Sequence, residues 1–97
     1  MENKESKFEL GQVVQTRTIA TEIENNETFR NEIIKAFNRY ITCDWGDTCK
    51  EDQELNNEAV KNNNDRIVAK YITSKGNIFI ITEYDRSYTT ILFANEY

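Results

Sequence analysis

The chain predicts an α+β domain: an N-terminal strand, two main helices preceded by a short one, then a three-stranded antiparallel meander packed against the helices. Two patterns carry that expectation. From Glu27 to Ile41 the apolar residues Phe29, Ile33, Ile34, Phe37 and Tyr40 recur at i, i+4, i+5, i+8 and i+11, the spacing of one face of an amphipathic helix. After Asp65, three runs rich in Ile, Val, Tyr, Phe and Thr (Arg66 to Thr73, Asn77 to Tyr84, Tyr88 to Ala94) are separated only by Ser74-Lys75-Gly76 and Asp85-Arg86-Ser87. Short turns between β-prone runs imply antiparallel hairpins. At 97 residues and 38% hydrophobic the chain holds one modest core, expected over 8–97, with residues 1–7 loosely ordered.

Taken in order, Phe8 to Thr16 reads as an edge strand interrupted by Gly11. Thr21 with Glu24 three residues on fits a capping box, so a short helix is expected around Thr18 to Glu24, with Asn25-Asn26 as the joint to the next. On the helix from Glu27 to Ile41, each buried Phe or Ile contributes roughly 1.5–3 kcal/mol, so Phe37→Ala is expected to be severely destabilising. Thr48-Cys49-Lys50-Glu51 is a second capping-box signature, predicting a helix from Cys49 to Asn62 that ends in the Asn62-Asn63-Asn64 run. Its apolar stripe is thin, and Glu51, Glu54 and Glu58 lie together on another face. Ile78-Phe79-Ile80-Ile81 is apolar at both parities, which places that strand at the sheet's centre or under cover on both faces.

Charge is the chain's most uneven property. Asp44, Asp47, Glu51, Asp52, Glu54 and Glu58 fall within 15 residues whose only base is Lys50, a local charge of −5. Removing that stretch from the totals of 17 acids and 12 bases leaves 11 of each, so the whole net charge of −5 resides there. Concentrated charge is a recognition surface or a solvated helix face; spread evenly it would serve solubility. Within the stretch, Asp44-Trp45-Gly46-Asp47 joins the two main helices. Trp45 either anchors that loop on the core or offers an aromatic contact to a partner. Asp52 shares a face with Leu55 and Ala59, an inward tilt that would call for Arg66, Lys70 or Arg86 as counter-ion.

Several functions lack their residues. With no histidine and only Cys43 and Cys49, one subunit cannot assemble a four-ligand zinc site or a Cys-His nucleophile. There is no Gly-rich phosphate loop and no Gly-x-Ser-x-Gly elbow, so no cofactor, no metal and no enzymatic activity are expected. Glu83, Asp85 and Arg86 could do acid-base work only by converging in a pocket; an exposed charged turn is the ordinary reading. A pI near 4.7 disfavours direct nucleic-acid binding. No run approaches the roughly 20 apolar residues of a membrane span, and the polar start has no signal-peptide pattern, so a cytoplasmic protein with free cysteines is expected.

Phe8-Glu9-Leu10-Gly11-Gln12-Val13-Val14, Asp44-Trp45-Gly46-Asp47, the run Ile80-Ile81-Thr82-Glu83-Tyr84-Asp85-Arg86-Ser87 with Thr89-Thr90-Ile91-Leu92, and Asn95-Glu96-Tyr97 together resemble a set of small bacterial proteins carried on plasmids, phages and integrated elements. The likeness spans nearly the whole chain after Lys7. Such proteins are called plasmid-related proteins, and sometimes subunit M of a type I restriction enzyme. The second name does not fit, because that methyltransferase needs an Asn/Asp-Pro-Pro-aromatic motif and this chain contains no proline. The resemblance implies a mobile genetic context, and small acidic proteins of that context are frequently inhibitors of CRISPR or restriction nucleases. The expectation is therefore a non-enzymatic inhibitor that meets an electropositive, nucleic-acid-binding protein through Asp44, Trp45, Asp47, Glu51, Glu54 and Glu58. The alternative is a protein-binding adaptor for plasmid or phage maintenance, working through an exposed sheet edge.

Overall fold

Helix caps set the start of the molecule. The computed structural model describes residues 5–97, in the order β1 (Gln12–Gln15), α1 (Arg17–Asn25), α2 (Glu27–Ile41), α3 (Lys50–Asn62), β2 (Ile67–Thr73), β3 (Gly76–Thr82), β4 (Tyr88–Phe93) and a terminal 3-10 turn, Ala94–Glu96. Thr16 caps α1, its hydroxyl accepting from the Ile19 N–H at 3.3 Å. That moves the start upstream of the Thr21–Glu24 box, which lies inside the helix. Asn26 then closes α1 and caps α2, its Oδ1 accepting from Phe29 N–H at 3.0 Å. The loosely ordered tail expected over 1–7 begins in residues 1–4, which lie outside the described residues; Lys7 is tied down, its N–H donating to Ile41 O at 2.9 Å.

The class expected from the sequence is present, with a different sheet. The meander forms: β2 pairs antiparallel with β3, and β3 with β4. The N-terminal strand, however, shrinks to four residues and joins β4 in parallel, Gln12 beside Tyr88 and Gln15 beside Ile91, so the sheet is four-stranded and mixed in the order β1-β4-β3-β2. Gly11 is the cause of the shortening. Its φ of +65° breaks the extended run, and a Cβ there would strike the backbone oxygens of Arg86 and Ser87. Phe8 and Leu10 are thereby turned toward the core instead of alternating along a ladder.

Helices α1 and α2 cover one face. Ile19, Phe29, Ile33 and Tyr40 meet Ile67, Ala69, Ile78, Ile80 and Ile91, all nearly or fully sealed from solvent. Phe37 is only partly buried and packs against this cluster from its rim, so Phe29, wholly inside, is the more sensitive position. Polar groups in the same interior are linked in one direction: Tyr40 Oη to Thr82 Oγ1 at 2.7 Å, Thr82 to Thr89 at 2.7 Å, and Thr89 Oγ1 to Leu10 O at 2.7 Å. Burial raises the Tyr40 pKa, keeping its hydroxyl protonated at the head of the chain. As expected, β3 is interior to the sheet; Ile81 on its other face is 4% exposed, and Phe79 there meets Tyr97 edge-on at 5.4 Å. No helix among the described residues is long and apolar enough to cross a membrane.

Candidate functional site

The acidic segment begins with a turn that needs its glycine. Gly46 has φ +65°, and a Cβ there would meet the Tyr71 ring. Its neighbour Asp44 is bidentate with Arg39, Nε to Oδ2 at 2.9 Å and a terminal nitrogen to Oδ1 at 3.1 Å, and also accepts from Gly46 N–H at 3.1 Å. Arg39 holds the Asp44 carboxyl below the usual carboxylate range, and Asp44 raises Arg39 in return. Asp44 is thus a neutralised turn residue. Trp45 is 2% exposed; its ring stands edge-on to Tyr40 at 5.5 Å, and its indole N–H donates to Asn57 Oδ1 at 2.8 Å. Of the two readings of Trp45, the loop anchor is the one realised, and a sealed indole has no area to offer a partner.

Downstream, the segment runs along the outer edge of β2. In the antiparallel ladder with β3, the backbone groups of Val68, Lys70 and Ile72 point away from the sheet. Five of them are taken up by the acidic segment. Asp47 N–H donates to Lys70 O at 2.8 Å, and Asp47 Oδ2 accepts from Ile72 N–H at 2.9 Å. Thr48 Oγ1 accepts from Lys70 N–H at 2.9 Å while donating to Trp45 O at 2.6 Å. Asn56, 4% exposed, matches Val68 on both sides, Nδ2 to its C=O at 2.9 Å and Oδ1 from its N–H at 3.2 Å. Side chains here do what a fifth strand would do.

That use of Thr48 overturns the capping box. Cys49, not Thr48, is the N-cap of α3 and makes no side-chain cap bond, while the Thr48 hydroxyl is occupied at the strand edge. Glu51 is consequently not engaged in a cap. Asp52 does not tilt inward: it is exposed, with no ion pair among the described residues, on the rim of a shallow cleft with Leu55, Arg66 and Tyr97. Asn56 and Ala59 take the buried positions of α3.

Arg86 is the residue whose role sequence reasoning missed. It is 6% exposed, and its two terminal nitrogens donate to five carbonyls, those of Ala59, Asn64, Asp65, Glu83 and Tyr84, at 2.6–3.2 Å. A cation there complements the negative C-terminal end of α3 and locks it to the β3–β4 turn. The carboxylates of Glu83 and Asp85 take no part; Asp85 accepts from Ser87 N–H at 3.0 Å and faces solvent. A positive φ of 60° at Arg86 follows from the turn and had no signal in the sequence beyond the Asp-Arg-Ser spacing.

Of the six site residues, Trp45 is sealed, Asp44 and Asp47 are exposed but already hydrogen-bonded within the fold, and the others are Glu51, Glu54 and Glu58. All three are exposed, and none makes an ion pair or hydrogen bond among the described residues. Positions i, i+3 and i+7 set them in one row on the face of α3 opposite Asn56 and Ala59. Cys43 and Cys49 are free, and among the described residues no group of three His, Cys, Asp or Glu side chains could hold a metal ion. No family model, no curated protein and no solved structure matches this chain.

Proposed function

We propose that the chain acts without catalysis, as an inhibitor that lays the outer face of α3 on an electropositive, nucleic-acid-binding surface of a host defence nuclease of the CRISPR or restriction type. The observation that carries this reading is the row Glu51, Glu54 and Glu58, exposed and without counter-ions among the described residues, on a helix fastened at its middle and its C-terminal end. Trp45–Asn57 and Asn56–Val68 hold its middle, and Arg86 holds its C-terminal end. The helix backbone is already ordered, so the ordering cost of docking is only the rotamer freedom of the three Glu side chains. Along the axis the three carboxylates fall about 4.5 and about 6 Å apart at a rise of about 1.5 Å per residue. One nucleic-acid strand carries a phosphate about every 3.4 Å, so the row is a sparse copy of a single strand and too weakly charged to copy a duplex. The type of target rests on the resemblance to proteins of mobile elements.

Because Asp44 and Asp47 serve the turn and the β2 edge, the test leaves them alone. The variant E51K/E54K/E58K should lose inhibition of a purified effector nuclease by about tenfold or more, with its circular dichroism and thermal midpoint near the parent's, and the parent's inhibition should weaken as salt rises. A triple variant that inhibits as the parent does sinks the reading.

A further inference from the structure

The opposite side of the sheet carries a different kind of surface. In β1 the N–H of Gln12 donates to Ser87 O and that of Thr16 to Ile91 O, so Gln12 and Val14 bond inward and Val13 and Gln15 turn their backbone groups outward. Neither makes a hydrogen bond among the described residues. Directly beside this edge lies a groove of about 480 Å³ between β1 and the helices, lined by Leu10, Val13, Ile23, Ile34 and Phe37 among others, with Arg30 its only charged residue among the described residues. Arg30 reaches the α1 carbonyls of Ile23 and Glu24 at 3.1 and 3.4 Å and has no carboxylate partner among the described residues.

We infer that the open edge of β1 and this groove form a second docking surface, for an extended segment of a partner protein that adds a strand to β1, places an apolar side chain in the groove and sets a carboxylate against Arg30. Register explains why the three features act together. Val13 and Gln15 pair with Thr89 and Ile91, whose side chains lie on the helix-covered face. A residue of an added strand opposite Val13 therefore points into the groove, while its own backbone meets the free N–H and C=O groups. Charge selects the occupant. A second copy pairing β1 with β1 would bring Gln12–Gln15, which has no charge, and another Arg30; an acidic strand supplies the missing anion.

The probe is a capped, fluorescein-labelled octapeptide of alternating threonine and valine with one central glutamate. Anisotropy should report saturable binding, and the largest amide shifts in heteronuclear spectra of the full chain should fall on Val13 and Gln15. Val13→Pro removes an outward N–H while sparing the inward bonds of Gln12 and Val14, and its neighbour Gln12 is already extended. That variant, and Val13→Lys as a control that keeps the N–H but charges the groove, should each weaken binding by about tenfold. Arg30→Gln should weaken the glutamate peptide by about tenfold and leave its glutamine counterpart unchanged. The inference is overturned if binding is absent at millimolar peptide, if both Val13 variants bind like the parent, or if the shifts map elsewhere. Self-association of the parent that Val13→Pro abolishes overturns it in favour of a second copy.

Discussion

The two edges of the sheet are finished in opposite ways. At β2, side chains of Asp47, Thr48 and Asn56 and the backbone of Asp47 occupy the groups a neighbouring strand would use. At β1, four uncharged residues, Gln-Val-Val-Gln, have outer groups that meet no partner among the described residues, beside an apolar groove. Bare edges invite strand addition, and proteins protect them with charge, proline or cover. This chain protects one edge and leaves the other, which directs any strand-mediated association to a single side. The difference also divides the acidic segment. Residues that look alike as surface charge separate into those that finish an edge and those that face solution.

Breaking the closed edge should have the largest effect. Asn56→Leu removes two hydrogen bonds and strands the N–H and C=O of Val68 beneath a helix, which should destabilise the fold by about 2–4 kcal/mol in denaturant titration and promote aggregation through β2. A variant as stable and as soluble as the parent would mean that the edge is not held by this side chain. Thr48→Val keeps the shape but leaves Lys70 N–H unpaired and Trp45 O with only the longer bond from the Thr48 N–H at 3.3 Å, and should cost about 1–3 kcal/mol by the same measurement.

Smallest is the turn that leads into that edge. Arg39 lowers the Asp44 pKa, so the pair's contribution is present above the ordinary aspartate value near 3.8 and is lost as pH falls through the lower folded value. Side-chain exposures of 40% and 53% leave the pair well screened, which keeps that contribution below about 1 kcal/mol. Thermal midpoints from pH 7 to below 3 should show Asp44→Asn slightly less stable at neutral pH and converging with the parent in acid. A gap that persists at the acid end would assign the effect to the Gly46 turn instead of the ion pair.

Local signals were read from the sequence with success where one pattern had one structural solution. The helix Glu27–Ile41 and the meander follow from periodicities of 3.6 and 2 that burial enforces. Caps were less legible, because a threonine hydroxyl can bond a helix end or a strand edge. Thr48 does the second, and Thr16 caps α1 in place of Thr21. The strand expected from Phe8 failed at Gly11, where a close approach to the β3–β4 turn decides the backbone. An exposed turn is the ordinary reading of Arg86 in the sequence, because three of the five carbonyls around it, those of Ala59, Asn64 and Asp65, come from 21 to 27 residues away.

Composition and periodicity by themselves determined the class, the three hairpin-linked strands, the long helix and the confinement of net charge to Asp44–Glu58. Only the tertiary structure decided that β1 lies parallel to β4, that Trp45 turns inward, and which acids remain unoccupied. The reason is the range over which each is set: a helix face or an alternating strand depends on neighbours a few residues away. Whether a polar side chain meets water or an unpaired strand depends on what the chain brings beside it from 12 or 25 residues on, as Asn56 meets Val68 and Asp47 meets Ile72.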